Sequence, residues 1–151
     1  MELKSIQDTI NFSKKISNII KHGDTIFLYG EIGSGKTTFA RFLINHLEKK
    51  NRIKKSEVLS PTFNIVYEYD LKKIRIYHYD LYRLKSYHDI LELGIFENEE
   101  SKIKIIEWPE LIKQKPNDRI DITFKYLKKD ESRKIKILGS GRYKDYILNE
   151  I

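Results

Sequence analysis

A glycine-rich loop carries the residues best suited to chemistry. Residues 30–37, GEIGSGKT, fit the P-loop pattern G-x-x-x-x-G-K-[ST] at every specified position. Glycines permit backbone angles that turn successive amides inward around an anion. Lys36 supplies a cation for the β- and γ-phosphates of a nucleotide, and the Thr37 hydroxyl is an oxygen ligand that suits magnesium. The loop therefore predicts a site for ATP with magnesium.

Two acidic residues are candidates for the second half of this site. Asp80 ends the run IRIYHYD, and Glu107 ends the run IKIIE. Both runs are typical of strands, and open α/β sheets place their ligands at the carboxyl ends of strands. Either carboxylate could face the magnesium shell, because P-loop enzymes hold the metal with an acid on a neighbouring strand. For each one taken alone, a surface carboxylate at a strand end is the alternative.

Other polar and aromatic residues near these acids have more than one interpretation. The segment SPTF, residues 60–63, could hydrogen-bond the γ-phosphate or position water, as switch segments do, or be an ordinary turn. Trp108 could stack on a base or pack in the core. His78 lies in an aromatic run, which favours packing or hydrogen bonding over metal binding. Arg83 could pair with a phosphate or with a carboxylate.

In the first half of the chain, the pattern predicts the elements that present the loop. The apolar run TIFLY, residues 25–29, is typical of a buried parallel strand. A helix over residues 36–49 should leave the loop. Another helix over residues 5–21 should precede the strand and stop at HGD, residues 22–24. The predicted buried faces consist of Ile6, Ile10, Ile16 and Ile20, edged by Phe12 and Ile19, in the earlier helix, and of Phe39, Phe42, Leu43 and Leu47 in the later one.

In the second half of the chain, the residue pattern predicts mostly strands. A short strand at Val58-Leu59 should precede a hairpin of residues 64–69 and 73–79. A helical turn over residues 89–93, closed by Gly94, and a strand over residues 102–106 should follow. Residues 119–127 and 133–138 predict a second hairpin, and residues 144–150 a terminal helix. The predicted fold class is α/β: a P-loop NTPase fold with a mixed, mostly parallel central sheet, antiparallel hairpins and flanking helices.

Composition narrows the class of protein. The length of 151 residues fits a single domain over residues 1–151. The absence of cysteine excludes disulfides, thiolate zinc sites and cysteine nucleophiles. No apolar run approaches the roughly 20 residues that cross a bilayer, so we expect a cytoplasmic protein without a membrane partner. The net charge of +7 is compatible with a generic basic surface or with an RNA-facing patch, and no DNA partner is expected.

Five motifs together resemble the bacterial TsaE family, formerly YjeE. They are GEIGSGKTTFAR at residues 30–41, SPTFNIVYEY at 60–69, YHYDLYRL at 77–84, ELG at 92–94 and IIEW at 105–108. Their order and spacing are similar to those of the family, and they span most of the chain before residue 110. The combination of SPTF, H-x-D-x-Y-R and EW is much more specific than the P-loop, which many unrelated enzymes share.

The resemblance implies a slow, partner-dependent ATPase. TsaE-like proteins associate with TsaD and TsaB, which transfer a threonylcarbamoyl group to a tRNA adenosine beside the anticodon, and tRNA would be met through that complex. By position in the motifs, Lys36 would bind phosphate, and Thr37 with Glu107 would hold magnesium. Asp80 would support catalysis, and Thr62 would lie in the switch segment.

The full set of expected site residues follows from the loop and the resemblance together. The catalytic set is Lys36, Asp80, Glu107 and Thr62, and the expected nucleotide contacts are Glu31, Ile32, Gly33, Ser34, Gly35, Lys36, Thr37, Thr38 and Trp108. No arginine finger is evident in the sequence, which fits low intrinsic turnover. Two other functions remain open: a small-metabolite kinase, and a nucleotide-dependent binding module without meaningful hydrolysis.

Overall fold

A seven-stranded mixed sheet forms the centre of the computed structural model, which describes residues 1–97, 102–127 and 132–145. In space the strands run β1-β7-β6-β2-β5-β4-β3. The central strands β6, β2, β5 and β4 pair in parallel, whereas β3 and β7 add antiparallel hairpins and β1 pairs antiparallel with β7. The strands are β1 (Glu2–Leu3), β2 (Thr25–Tyr29), β3 (Val66–Asp70), β4 (Arg75–Asp80), β5 (Lys102–Glu107), β6 (Arg119–Leu127) and β7 (Ser132–Ser140).

Helices and apolar clusters cover both faces of the sheet. The helices are α1 (Ile6–Ile19), α2 (Lys36–Lys50) and α3 (Tyr87–Glu92), with short 3-10 helices at Pro109–Leu111 and Gly141–Tyr143. Because side chains alternate along a strand, Ile26 and Leu28 of β2 pack with α1 and α2, while Phe27 packs with the residues around α3. The predicted α/β fold with its two hairpins is confirmed. The two-residue strand β1 was not predicted.

Helix α1 begins and faces the core for local reasons. The Ser5 hydroxyl accepts from the Asp8 amide at 3.1 Å, and the Asp8 carboxylate accepts from the Ser5 amide at 2.9 Å, which forms a capping box. The predicted buried face was partly wrong, since Ile6 is 59% exposed while Phe12 is 2% exposed. The buried stripe instead includes the small Ser13, whose hydroxyl is satisfied by the Ile10 carbonyl at 2.8 Å.

Other elements depart from the sequence prediction in limited ways. The predicted strand at Val58-Leu59 is wrong, because these residues belong to an irregular segment. There the Val58 carbonyl accepts from Arg41 Nε at 3.0 Å instead of from a neighbouring strand. The Glu48 carboxylate fixes the same segment by accepting from the amide and hydroxyl of Ser56. The predicted terminal helix lies mostly outside the described residues.

The parallel strands bring three chain segments to one edge of the sheet. Strand β2 leads into Gly30, β4 ends at Asp80 and β5 ends at Glu107. In register, Glu107 pairs with Leu28 on one side and with Asp80 on the other. Both acids therefore lie at the same edge as the loop. None of the helices that the structure describes is long and apolar enough to span a bilayer.

Candidate nucleotide site

The loop between β2 and α2 adopts a conformation that depends on its glycines. Gly30, Gly33 and Gly35 have φ angles of 136°, 76° and 111°, which side chains disfavour. Gly30 is also confined: a Cβ there would lie 2.3 Å from the Phe124 carbonyl oxygen of β6. Gly35 caps α2, so the positive end of a 15-residue helix faces the loop. This arrangement is suited to binding an anion.

Lys36 is held inside the loop by backbone carbonyls. Its Nζ donates to the Gly30 carbonyl at 2.6 Å and to the Glu31 carbonyl at 2.9 Å. The ammonium also lies 3.9 Å from the centre of the Trp108 ring. Burial lowers the pKa of Lys36, while the charges of Glu107 and Asp80 oppose that shift. The cation is thus placed at the junction of the loop and the acidic strand ends.

Glu107 joins the loop to the buried part of the sheet. Its Oε2 accepts from the Thr37 hydroxyl at 2.9 Å. Its Oε1 lies 2.8 Å from His78 Nε2 in a hydrogen bond, with His78 0% and Glu107 1% exposed. The interpretation of His78 as a hydrogen-bonded residue is confirmed. The bond fixes the orientation of the Glu107 carboxylate, which holds its other oxygen against Thr37.

Asp80 organises the segment that contains SPTF. Its Oδ2 accepts from the Thr62 hydroxyl at 2.6 Å, and its Oδ1 accepts from the Tyr82 amide at 3.0 Å. The Thr62 hydroxyl also lies 2.8 Å from the Ser60 hydroxyl. Asp80 is 4% exposed, so the contact ties an irregular surface segment to a buried strand end. The structure therefore brings together Thr62 and Asp80, two of the expected catalytic residues.

Exposed apolar side chains surround this end of the loop. Phe63 is 83% and Ile32 is 72% exposed, and Tyr82, which is 50% exposed, packs against Trp108 with ring centres 4.8 Å apart. Arg83 donates to the Phe63 carbonyl, and among the described residues it reaches neither a carboxylate nor the loop. Trp108 lies beside Lys36. This contact does not test the predicted stacking of Trp108 on a base, which stays a prediction.

A cavity opens on the other side of the loop, away from Glu107. Some of its lining residues belong to the loop and to α2 and were predicted as nucleotide contacts. Its other lining residues were not predicted as contacts. Ser34, Gly35 and Thr38 are in the first group, and Ser5, Thr9 and Arg133 in the second. Strand alternation places Arg133 on the same face of β7 as Ile135. Nothing local in the sequence, however, signals that β7 reaches the loop.

The donor set fits magnesium only together with a nucleotide. Thr37 and Glu107 provide adjacent hard oxygen atoms, which magnesium prefers. Across the described ranges, no group of three or more His, Cys, Asp or Glu side chains could hold a metal by itself. Magnesium here would therefore need phosphate oxygens to complete its shell. Glu31 and Ile32, also predicted contacts, lie exposed at the tip of the loop.

Comparison with known proteins gives consistent results. A family model described as "Threonylcarbamoyl adenosine biosynthesis protein TsaE" matches residues 3–135. Three curated proteins named tRNA threonylcarbamoyladenosine biosynthesis protein TsaE are similar to the chain. The protein from Rickettsia prowazekii is 42% identical over 74% of each chain, and that from Rickettsia bellii is 38% identical over 85% of this chain and 88% of the relative. The protein from Borreliella burgdorferi is 36% identical over 94% of each chain.

One solved structure extends the likeness to the fold. A crystal structure of YdiB from Bacillus subtilis superimposes with a TM-score of 0.73 and 25% sequence identity. The match covers 99% of this chain and 90% of that one. The likeness includes the C-terminal hairpin, for which the sequence motifs carried little information.

Proposed function

This chain belongs to the TsaE family, and on that premise we propose that it binds ATP with magnesium and hydrolyses it slowly in tRNA threonylcarbamoyladenosine biosynthesis. The observation that carries the proposal is the contact between the Thr37 hydroxyl and Glu107. It joins the P-loop to an acid on the neighbouring strand, which is the pairing that P-loop enzymes use at their metal.

The loop supplies the binding energy for the phosphates. Its amides and the positive end of α2 face the anion, and the buried Lys36 adds a full charge. On nucleotide binding, the Lys36 ammonium exchanges its carbonyl partners, Gly30 and Glu31, for phosphate oxygens. Because the ammonium is buried, its attraction to phosphate is screened less than that of a surface lysine. Magnesium, when bound, neutralises charge on the β- and γ-phosphates.

In the proposed mechanism, the SPTF segment that Asp80 holds takes part in hydrolysis at the γ-phosphate. Water attacks the γ-phosphorus in line, the bond to the β-phosphate oxygen breaks, and ADP and phosphate result. Asp80 accepts from Thr62, and Thr62 contacts Ser60, which supports a proposed role for these two hydroxyls in orienting that water or the γ-phosphate. Both Asp80 oxygens already accept hydrogen bonds, which suits positioning better than proton abstraction.

Completion of this site by a partner would account for the slow turnover that we propose for the isolated chain. Arg83, which follows the strand end at Asp80, donates to the Phe63 backbone carbonyl instead of reaching the loop. The exposed Phe63 and Ile32 flank the catalytic end and offer apolar contact area. We propose TsaD with TsaB as the partners, and tRNA as the substrate of the assembled complex.

Magnesium-dependent ATP hydrolysis tests the proposal. It should be measured for the wild-type chain and for Lys36→Ala, each alone and with a TsaD–TsaB complex and tRNA. We expect the wild-type chain to hydrolyse ATP slowly alone and faster with the partners. Lys36→Ala should lose the hydrolysis under both conditions. Rapid turnover without partners would argue for a kinase or another hydrolase. Binding without any hydrolysis, even with partners, would argue for a nucleotide-dependent binding module.

A further inference from the structure

Two segments of the chain carry exposed charge of a single sign. They are residues 14–21, KKISNIIK, and residues 49–55, KKNRIKK, and neither contains an acidic residue. Every Lys and Arg in them is exposed. Within the described ranges, none of these side chains forms an ion pair, whereas Arg75, Arg119 and Arg142 each do. The exposed side chains of the two segments form the basic face.

Helices α1 and α2 bring the two segments together. Lys50, at the end of α2, donates from Nζ to the Ser17 carbonyl of α1 at 3.3 Å. Lys14 lies three residues before Ser17 and therefore on the same side of α1. After α2 the chain turns back on itself, because the Ile53 amide donates to the Glu48 carbonyl at 2.9 Å. The rest of the second segment therefore stays beside the end of α2.

The acids that border these segments leave the charge largely uncompensated. Asp24 is 0% and Glu48 is 2% exposed. The Asp24 carboxylate accepts from the Tyr143 hydroxyl, and the Glu48 carboxylate accepts from the Ser56 amide at 3.1 Å. Glu57 is exposed just beyond the second segment, but it forms no ion pair with the described residues of the basic face.

Stabilisation of helix dipoles does not account for the whole face. Lys49 and Lys50 lie in the last turn of α2, where cations oppose the negative end of the dipole. The last turn of α1, however, contains no basic residue. Lys14 and Lys15 precede that turn, and residues 52–55 lie beyond the end of α2. Most of these cations therefore need another explanation.

The basic face lies far from the proposed nucleotide site. Helix α2 begins beside the loop at Lys36 and ends at Lys50, and its 15 residues span about 22 Å. The exposed Phe63 and Ile32 lie at the loop end. Among the described residues, no exposed large apolar side chain belongs to the basic face. The two ends of α2 therefore present different chemistry.

A surface of this kind is suited to a phosphate backbone. The centres of protein interfaces are typically rich in apolar and aromatic residues, which the basic face does not expose. Lys and Arg side chains that neutralise phosphates release condensed counterions, and this release supplies affinity without apolar contact. The chemistry therefore favours a nucleic acid over a protein. Because the proposed function is in tRNA modification, the nucleic acid that it favours is RNA.

We propose that the basic face binds the sugar–phosphate backbone of tRNA. The inference rests on the proposed role in tRNA modification and adds a direct contact between this chain and the RNA. Because the basic face and the P-loop lie at opposite ends of α2, the chain can hold RNA and nucleotide at the same time.

Fluorescence anisotropy with a labelled, unmodified tRNA transcript tests the proposal. The full chain is titrated without nucleotide at salt concentrations from about 50 to 200 mM. The test variant combines Lys14→Gln, Lys21→Gln and Lys54→Gln, whose exposed side chains have no hydrogen-bond partner among the described residues. It should bind about tenfold or more weakly, and the slope of log affinity against log salt should become shallower by about 3. Arginine at the same three positions keeps the charge and should restore binding.

The matched control removes three exposed lysines from the C-terminal hairpin. It combines Lys125→Gln, Lys134→Gln and Lys136→Gln. Lys134 and Lys136 flank Ile135, which packs in the core beneath α1 and α2, so they lie on the other face of the sheet. Lys125 is paired with Lys134 in register. The control has the same net charge as the test variant and should bind tRNA nearly as the wild type does.

Three results would overturn the proposal. Equal weakening in the two triple variants would show that only net charge matters. No binding of tRNA by the wild-type chain would remove the RNA contact, and binding to phosphatidylglycerol vesicles but not to tRNA would assign the face to a lipid surface. Both triple variants should hydrolyse ATP as the wild type does. Because the titration contains no nucleotide, tRNA binding through this face by a chain that does not hydrolyse ATP would support this inference and overturn the proposed hydrolysis.

Discussion

The hydrogen bond between His78 and Glu107 gives the sharpest prediction for a single side chain. Both residues are buried, and their atoms Nε2 and Oε1 lie 2.8 Å apart. His78 Nδ1 has no hydrogen-bond partner within the described part of the chain, so the only hydrogen bond of the ring there is to Glu107. In His78→Ala, Glu107 Oε1 stays buried and loses this partner, and the ring leaves a void.

The size of the effect follows from burial. Removing one partner of a buried, charged hydrogen bond costs about 3 kcal/mol in the free energy of unfolding. For a domain of this size, each kcal/mol lowers the melting temperature by about 2–4 °C, so we expect a decrease of roughly 6–12 °C. Because Glu107 also loses its orientation against Thr37, the strengthening of ATP binding by magnesium should fall about tenfold or more.

Urea and thermal unfolding, with calorimetry of ATP at varied magnesium, measure both effects. The control is His88→Ala, because His88 forms the same type of pair with Glu92 at 3.3 Å, but their side chains are 77% and 69% exposed. That variant should change little, since exposed pairs contribute little to stability. The reasoning is refuted if the two variants lose similar stability, or if His78→Ala loses stability while its response to magnesium is unchanged.

Two further predictions concern the loop and the buried acid at the start of β2. Gly30→Ala should destabilise the fold by more than about 2 kcal/mol in urea unfolding, because its Cβ would meet the Phe124 carbonyl oxygen at 2.3 Å. A Cβ on Gly33 would meet nothing within 4 Å, so Gly33→Ala should lose less stability. An equal loss of stability in the two variants would show that the contact with the Phe124 carbonyl is unimportant. Burial raises the pKa of Asp24 above 3.8, against the hydrogen bond from Tyr143. The folded state then holds this proton more tightly than the unfolded state, so the Asp24 contribution to stability falls as pH rises above about 4. Asp24→Asn should lack that decrease, and a wild type that instead gains stability relative to the variant over this range would show that the fold favours the charged form.

Much of the part of the site around Lys36, Asp80 and Glu107 could be predicted from the sequence because it is built from local patterns. The strand Thr25–Tyr29 and the start of α2 at Lys36 match their predictions, since apolar runs and loop glycines act over a few residues. Asp80 and Glu107 come together because parallel strands end at one edge. That inference needs only the strand ends and the fold class.

The other side of the site depends on distant pairings, which local patterns do not encode. The position of Arg133 beside Gly35 requires the order of β6, β7 and β1 in the sheet. The short strand β1 has too few residues to show a period. The prediction that Ile6 is buried was wrong for a similar reason. The helical period defines an apolar face, but it does not show which edge of that face packs against the sheet.

Calorimetric titration of ATP into the wild-type chain and into Lys36→Ala, each with and without magnesium, tests the central claim most directly. The account predicts that the wild type binds ATP, that magnesium strengthens the binding, and that the variant loses most of the affinity while remaining folded. A folded wild-type chain that does not bind ATP, or an affinity unchanged by Lys36→Ala, would contradict it.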